Sequence, residues 1–174
     1  MTNLERARRL VQQVRELGAS DFCTCAGSRN SPLLAVLAQA SGLGHRASEP
    51  NGAGGSEARG PRPEARLFSF VDERSAAFFA LGRIKLQGRP AAVVTTSGTA
   101  VAELLPAVVE AYYSSLPLVL ITADRPRRFH GSGAPQAIEQ AGIFGPYAAT
   151  SIESWDGTKP LHINIEFDEP LIDE

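Results

Sequence analysis

The chain has 174 residues, 43% of them hydrophobic and 21% charged, and its 17 basic and 19 acidic side chains leave a net charge of −2. That length suits one well-buried domain and excludes two large ones, and the even charge balance points to neither a nucleic-acid nor a membrane partner. The longest apolar runs fall far short of the roughly 20 residues that span a bilayer, and the N-terminus enters a helical pattern with no signal-peptide core, so a cytoplasmic protein is expected.

Thr2 followed by Glu5 matches a capping box, and Leu4, Ala7, Leu10, Val11, Val14 and Leu17 recur at helical spacing, with Gly18 placed to end the helix. Asp21–Cys25 reads as a short buried strand. Its cysteines, Cys23 and Cys25, share one strand face as small buried side chains, because two ligands alone do not make a metal site. The three histidines are scattered without ligand spacing. After Gly27-Ser28-Arg29-Asn30, Ser31 is placed to cap a second helix over 33–40 with Pro32 at its first position. From about 42 to 64 the sequence loses periodicity in Gly, Pro, Ser and Arg, which predicts a mobile loop.

Order returns with a strand over 66–71, a helix over Glu73–Gln87, a strand over 91–96, a helix over 99–114 and a strand over 118–122. Two more strand-like stretches, 150–153 and 161–165, are separated by too few residues for a parallel crossover, which needs a dozen or more. They predict either a hairpin or a local loss of residues. Strands that are apolar throughout, alternating with helices, imply an α/β fold, doubly wound, with a mostly parallel sheet and helices on both faces. Residues 1–174 thus read as a single domain.

In such a sheet, ligands bind beyond the carboxyl ends of the strands. Four polar clusters fall there: Gly27-Ser28-Arg29, Asp72-Glu73-Arg74, Ser97-Gly98-Thr99 and Asp124-Arg125-Pro126. Each alone is equally a capped βα turn. Ser97-Gly98-Thr99 offers backbone N–H groups at a helix start, which suits either an anion or a plain glycine turn. No GxGxxG follows a strand, and neither GxxxxGK[ST] nor GxSxG is present, so dinucleotide, nucleoside-triphosphate and hydrolase readings lack their defining residues.

The stretch Val71-Asp72-Glu73-Arg74-Ser75-Ala76-Ala77-Phe78-Phe79-Ala80-Leu81-Gly82 resembles the glutamate-bearing strand–helix unit of thiamine-diphosphate enzymes. Gly27-Ser28-Arg29-Asn30-Ser31-Pro32-Leu33, Thr96-Ser97-Gly98-Thr99-Ala100-Val101-Ala102, Thr122-Ala123-Asp124-Arg125-Pro126 and Gly133-Ala134-Pro135-Gln136-Ala137 are similar to one family, the 2-succinyl-5-enolpyruvyl-6-hydroxy-3-cyclohexene-1-carboxylate synthases of menaquinone biosynthesis. The resemblance runs from the first helix to Pro170 and implies the N-terminal, pyrimidine-binding domain of such an enzyme. It also implies a transferase that decarboxylates 2-oxoglutarate on thiamine diphosphate and adds the product carbanion to isochorismate.

By motif match the resemblance assigns Glu73 to catalysis and to the cofactor. It would hydrogen-bond a pyrimidine nitrogen and promote the imino tautomer that takes the thiazolium proton. Such a carboxyl has to be desolvated, and Phe78 and Phe79 are the residues expected to help. The alternative is an acid favoured by the helix dipole. Ser97, Gly98 and Thr99 are likewise implied for the cofactor, and Ser28, Arg29, Arg125 and Gln136 for the carboxylate-rich substrates, to which arginine pairs bidentately. For Arg29 and Arg125 the alternative is a surface salt bridge. The ligands for Mg2+ or Mn2+ are implied in a later, diphosphate-binding domain with a Gly-Asp-Gly motif, in a homodimer or homotetramer whose sites lie between subunits. The chain would then be half of a site and inactive alone.

The chain departs from the family pattern at Ala26, where proline is usual, and at Pro135, where asparagine is usual beside Gln136. Two other readings remain open: the pyrimidine-domain subunit of a split thiamine-diphosphate decarboxylase, and a non-catalytic ligand-binding domain of flavodoxin-like form.

Overall fold

The computed structural model describes residues 1–42 and 65–172, so the loop expected at about 42–64 lies, from residue 43 onward, outside the described residues. Helix α1 (Asn3–Glu16) opens with the capping box its sequence encodes: Glu5 N–H donates to Thr2 Oγ1 at 3.1 Å, and Thr2 N–H donates to Glu5 Oε2 at 2.8 Å. Ala7, Leu10, Val11 and Val14 form its buried stripe. Gly18, at φ +98°, turns the chain into β1 (Asp21–Cys25), all five residues of which are buried.

Helix α2 (Ser31–Ala40) begins one residue earlier than the Ser31 cap predicts, with Asn30 at the cap position. Ser31 instead hydrogen-bonds back to the Ser28 carbonyl, while Asn30 ties the turn by accepting from Gly27 N–H and donating to Cys25 O, both at 2.9 Å. After β2 (Arg66–Phe70), α3 spans Glu73–Gln87 as expected: Asp72 accepts from Ser75 N–H at 2.6 Å, and Gly88 ends the helix in the left-handed conformation. Strand β3 (Ala91–Thr95) follows.

The single helix expected over 99–114 is two, α4 (Thr99–Ala102) and α5 (Leu105–Tyr113). Pro106 has no N–H to donate to Ala102 and its ring crowds that carbonyl, so the first helix stops and a second starts with proline in its first turn. Strand β4 runs Leu118–Asp124 and β5 runs Leu161–Glu166. The strand expected over 150–153 does not form, and neither does a hairpin. Ala149 touches Leu161 through one isolated parallel bridge, and a turn closed by Trp155 Nε1–H on Lys159 O leads back into β5.

All five strands are parallel, in the order β2-β1-β3-β4-β5. Residues of α1 and α2 pack on one face with Phe22, Val94, Val119 and Ile121, and those of α3, α4 and α5 on the other with Cys23, Cys25, Val93 and Leu120. The doubly wound α/β expectation therefore holds, and both cysteines are free, buried and on one face. This strand order is the flavodoxin-like one, whose winding reverses between β1 and β3 and opens a crevice at their carboxyl ends. No helix among the described residues is long and apolar enough to cross a membrane.

Candidate functional site

The carboxyl ends of β1 and β3 meet at very close range. A Cβ built on Gly27 would lie 2.5 Å from Thr96 Cβ, so only glycine fits there. Gly98, at φ +83°, is pressed in the same way against Gln136, whose Cα would sit 2.9 Å from an added Cβ; Gln136 itself has φ +54° and is exposed. Arg125 closes this group, donating from Nε to Pro135 O at 2.9 Å with its guanidinium over the Phe129 ring. The structure thus gathers Gly98, Arg125 and Gln136, all named from the sequence.

A buried polar network that the sequence did not suggest holds them. Gln140, with no solvent exposure, accepts from Gly98 N–H at 3.0 Å and donates to Ala123 O and to Asn164 Oδ1. Asn164 in turn donates to Asp124 Oδ2, and Asp124 Oδ1 accepts from Arg125 N–H at 2.7 Å. Thr122 gives its hydroxyl proton to Asn164 Oδ1 at 2.8 Å, so its contact with His162 Nε2 at 2.8 Å has the imidazole as donor. Burial pushes the His162 pKa down to about 4, which keeps that ring neutral. The local sequence gives no signal for Gln140, which follows the exposed Glu139 in Ile138-Glu139-Gln140-Ala141-Gly142-Ile143-Phe144.

The Ser97–Thr99 turn does not offer a free anion cradle. The Gly98 N–H is already taken by Gln140, and α4 has only four residues, too short for an aligned dipole. Ser97 is buried and Thr99 exposed.

On the other side of the β1–β3 crevice, Asp72 provides the cap for α3, and this leaves the next residue, Glu73, with no hydrogen bond or ion pair to any described residue. Glu73 is half-buried, not desolvated. The shielding expected from Phe78 and Phe79 is absent from the described residues: both are exposed, and Phe79 packs sideways on Phe68 and Phe70 at 5.0 and 5.1 Å. Below it, burial first and then the charges of Glu73 and Asp72 push the Cys25 thiol up to about 12. By strand alternation Thr95 shares the Cys25 face, and its buried hydroxyl has no partner among the described residues.

Arg29 and Ser28 part company. Ser28 is exposed, whereas Arg29 is buried, donating to Phe167 O at 3.0 Å and pairing with Glu169 at 3.1 Å. The surface-salt-bridge alternative is half right: the pair exists, but its arginine is inside. The described residues hold no group of three or more His, Cys, Asp or Glu suited to a metal ion.

Among the described residues, then, the Glu73 side chain and the buried Thr95 hydroxyl both lack a polar partner. Comparison with known proteins places the chain in a family. Residues 5–143 match the family model described as "Thiamine pyrophosphate enzyme, N-terminal TPP binding domain". The chain is 46% identical, over 99% of its own length and 31% of the relative's, to a protein of Bdellovibrio bacteriovorus named 2-succinyl-5-enolpyruvyl-6-hydroxy-3-cyclohexene-1-carboxylate synthase. Proteins of the same name from Akkermansia muciniphila (48% identity, 88% of this chain, 27% of the relative) and Corynebacterium diphtheriae (39%, 99% and 31%) are also similar. The chain spans less than a third of the length of these relatives.

Proposed function

Because the chain belongs to the thiamine pyrophosphate enzymes, through the N-terminal binding domain of that family, we propose that it supplies the pyrimidine-holding half of the cofactor site in a 2-succinyl-5-enolpyruvyl-6-hydroxy-3-cyclohexene-1-carboxylate synthase. The observation that carries this reading is the division of labour at the start of α3, where Asp72 caps the helix and the Glu73 side chain has no partner among the described residues.

The residues present fit the pyrimidine end of thiamine diphosphate. Glu73 would hold a proton at a ring nitrogen, and the Thr95 hydroxyl, without a partner among the described residues, would offer a second polar contact at the Cys25 face. When bound, the cofactor supplies the carbanion chemistry by which 2-oxoglutarate loses carbon dioxide and its remainder is added to isochorismate. Ser97, Gly98 and Thr99 line the cofactor's side of the crevice, with the Gly98 turn fixed by Gln140. The diphosphate and its Mg2+ or Mn2+ do not fit the described residues, which lack a cluster of metal ligands. They belong to the region that the relatives carry beyond this span.

Ser28, Arg29, Arg125 and Gln136 are assigned to the substrate carboxylates. Arg125 has its Nε committed and its terminal nitrogens unengaged among the described residues, which leaves its fork open to a carboxylate. Arg29 reaches a substrate only by exchanging Glu169 for it. We place the enzyme in the cytoplasm as a homodimer or homotetramer, in which a neighbouring surface covers Val71, Phe78 and Phe79 and desolvates Glu73.

The test is Glu73→Gln in the synthase that contains this domain. An amide cannot share a proton with a ring nitrogen as a carboxyl does, so turnover should fall by orders of magnitude with little loss of stability. Near-normal turnover would remove Glu73 from the chemistry.

A further inference from the structure

The opposite, amino edge of the sheet carries a second organised polar site. Asp21 opens β1 with its side chain buried, and both carboxylate oxygens are saturated. Oδ1 accepts from Arg66 Nε at 2.7 Å, and Oδ2 accepts from Arg83 Nε at 2.7 Å and Gln87 Nε2 at 2.8 Å. The fold dictates the gathering. Arg66 begins β2 in register with Asp21, and α3 runs antiparallel to the strands, so its last turns bring Arg83 and Gln87 to the same edge. The Gly88 cap then turns Arg89 back, and Arg89 Nε donates to Gln87 Oε1 at 2.7 Å, an oxygen that Arg66 NH2 also reaches at 2.8 Å.

Three guanidinium groups here face one carboxylate whose lone pairs are already used, leaving two positive charges uncompensated among the described residues. Each arginine is also held in place. Arg66 and Arg83 are fixed by Asp21, Arg83 is further stacked over the Phe68 ring at 5.3 Å, and Arg89 is fixed by Gln87. The bonds go chiefly to Nε, so the terminal nitrogens of Arg83 and Arg89 have no described partner. Arg66, Arg83, Gln87 and Arg89 line an open depression of about 420 Å³, room for an oxyanion with an organic body attached. A purely structural ion pair for Asp21 is complete with Arg66, Arg83 and Gln87. Arg89 adds nothing to it and extends only the positive charge.

We propose that this depression binds a phosphate-class dianion, free or as the phosphate of a larger molecule, in the fork of Arg83 and Arg89. The site lies roughly 13 Å, four strand residues at about 3.3 Å each, from the Glu73 crevice, so a ligand here is not the cofactor or substrate of that crevice. Charge-assisted, bidentate contacts to preorganised guanidinium groups are the strong form of such recognition.

The experiment follows the Arg Nε–H resonances of the 174-residue chain as inorganic phosphate is added at constant ionic strength. Saturable shifts at Arg66, Arg83 and Arg89, with millimolar or tighter affinity, are expected. Arg89→Gln should weaken binding about tenfold; the one side-chain hydrogen bond of Arg89 among the described residues is to Gln87, on the surface, so the fold should stay intact. Arg83→Gln with Arg89→Gln should abolish it, with circular dichroism confirming the fold. Tighter binding of phenyl phosphate than of inorganic phosphate identifies a phosphomonoester as the ligand, and equal binding identifies free phosphate. Shifts that do not saturate, unchanged affinity in Arg89→Gln, or succinate binding more tightly than phosphate would each overturn the proposal.

Discussion

The backbone N–H of Gly98 and the side-chain carbonyl of Gln140 are joined at 3.0 Å in the protein interior, across 42 residues of sequence. This bond anchors the β3 turn to the segment that carries Pro135 and Gln136. Gln140→Leu keeps the volume but strips the Gly98 N–H, the Ala123 carbonyl and Asn164 of a partner each. Asn164 Oδ1 keeps the Thr122 hydroxyl, so two buried groups are left unsatisfied at about 1–3 kcal/mol apiece, and a loss of at least about 2 kcal/mol in urea unfolding is expected. A loss below about 1 kcal/mol would mean that water replaces the glutamine freely.

Gly27 makes a sharper steric prediction. Its added Cβ would sit 2.5 Å from the Cβ of Thr96, an atom no side-chain rotation can remove. Gly27→Ala should therefore cost about 1–3 kcal/mol by overpacking, and Thr96→Gly in the same molecule should recover part of it despite its own flexibility cost. Strictly additive losses in the double variant would show that the two turns do not press on each other.

His162 and Asp21 set an acid dependence with two windows. The His162 pKa is about 4 when folded against about 6.5 unfolded, so the unfolded chain binds the extra proton between these values. Its contribution is complete above pH 6.5 and lost as the pH falls toward 4, about 2 kcal/mol of it between pH 7 and 5. At Asp21 burial raises the carboxyl pKa, but the hydrogen bonds from Arg83, Gln87 and Arg66 outweigh it and leave the folded value below 3.8. That contribution is present above about pH 4 and is lost only as the pH falls further. Urea unfolding of His162→Gln at pH 7 and pH 5 should show a flattened slope against the parent; an unchanged slope would assign the dependence to other groups.

The thiols offer a simpler check. Burial first, aided at Cys23 by Asp21 and at Cys25 by Glu73 and Asp72, pushes each pKa up to about 12. Since the thiolate is the nucleophile, both should resist a disulfide reagent at pH 8 in the native protein and react together on unfolding. Rapid reaction of one thiol without unfolding would reveal local opening at that strand.

Local chemistry made much of this fold readable. The α1 capping box, the Asp72 and Gly88 ends of α3 and the apolar β1 stand where the residues alone put them, since caps and continuous apolar runs act within a few positions. Pro106 is a local signal too, yet the helix expected over 99–114 ran through it, and the structure breaks there. The strand expected over 150–153 failed because β-propensity needs a neighbour to pair with, and only Ala149 finds one. At the site, Glu73, Gly98, Arg125 and Gln136 sit near strand ends or in turns and were found by motif. Gln140, Asn164 and the Arg29–Glu169 pair act across 24 to 140 residues of chain, a separation that no local pattern encodes.

This chain alone should bind the cofactor only weakly. On the function proposed above, Glu73 and Thr95 would give polar contacts to a pyrimidine, but Glu73 is only half-buried, and Val71, Phe78 and Phe79 stand exposed around the start of α3 instead of shielding it. A carboxyl group in contact with water gains little from sharing a proton with a ring nitrogen, because water competes for that hydrogen bond. The diphosphate, which carries the charge of the ligand, finds no metal-ligand cluster among the described residues, and the Gly98 N–H that a glycine turn would offer it is occupied by Gln140. One or two hydrogen bonds and some stacking amount to a few kcal/mol before the cost of association, so a Kd weaker than about 100 μM is expected. Added magnesium should leave it unchanged. Titration calorimetry with thiamine diphosphate, with and without magnesium, makes the measurement, and Glu73→Gln separates a pyrimidine contact from adventitious binding. Micromolar or tighter affinity that depends on magnesium would mean that this domain holds the diphosphate as well, and the division of the site proposed above would be wrong.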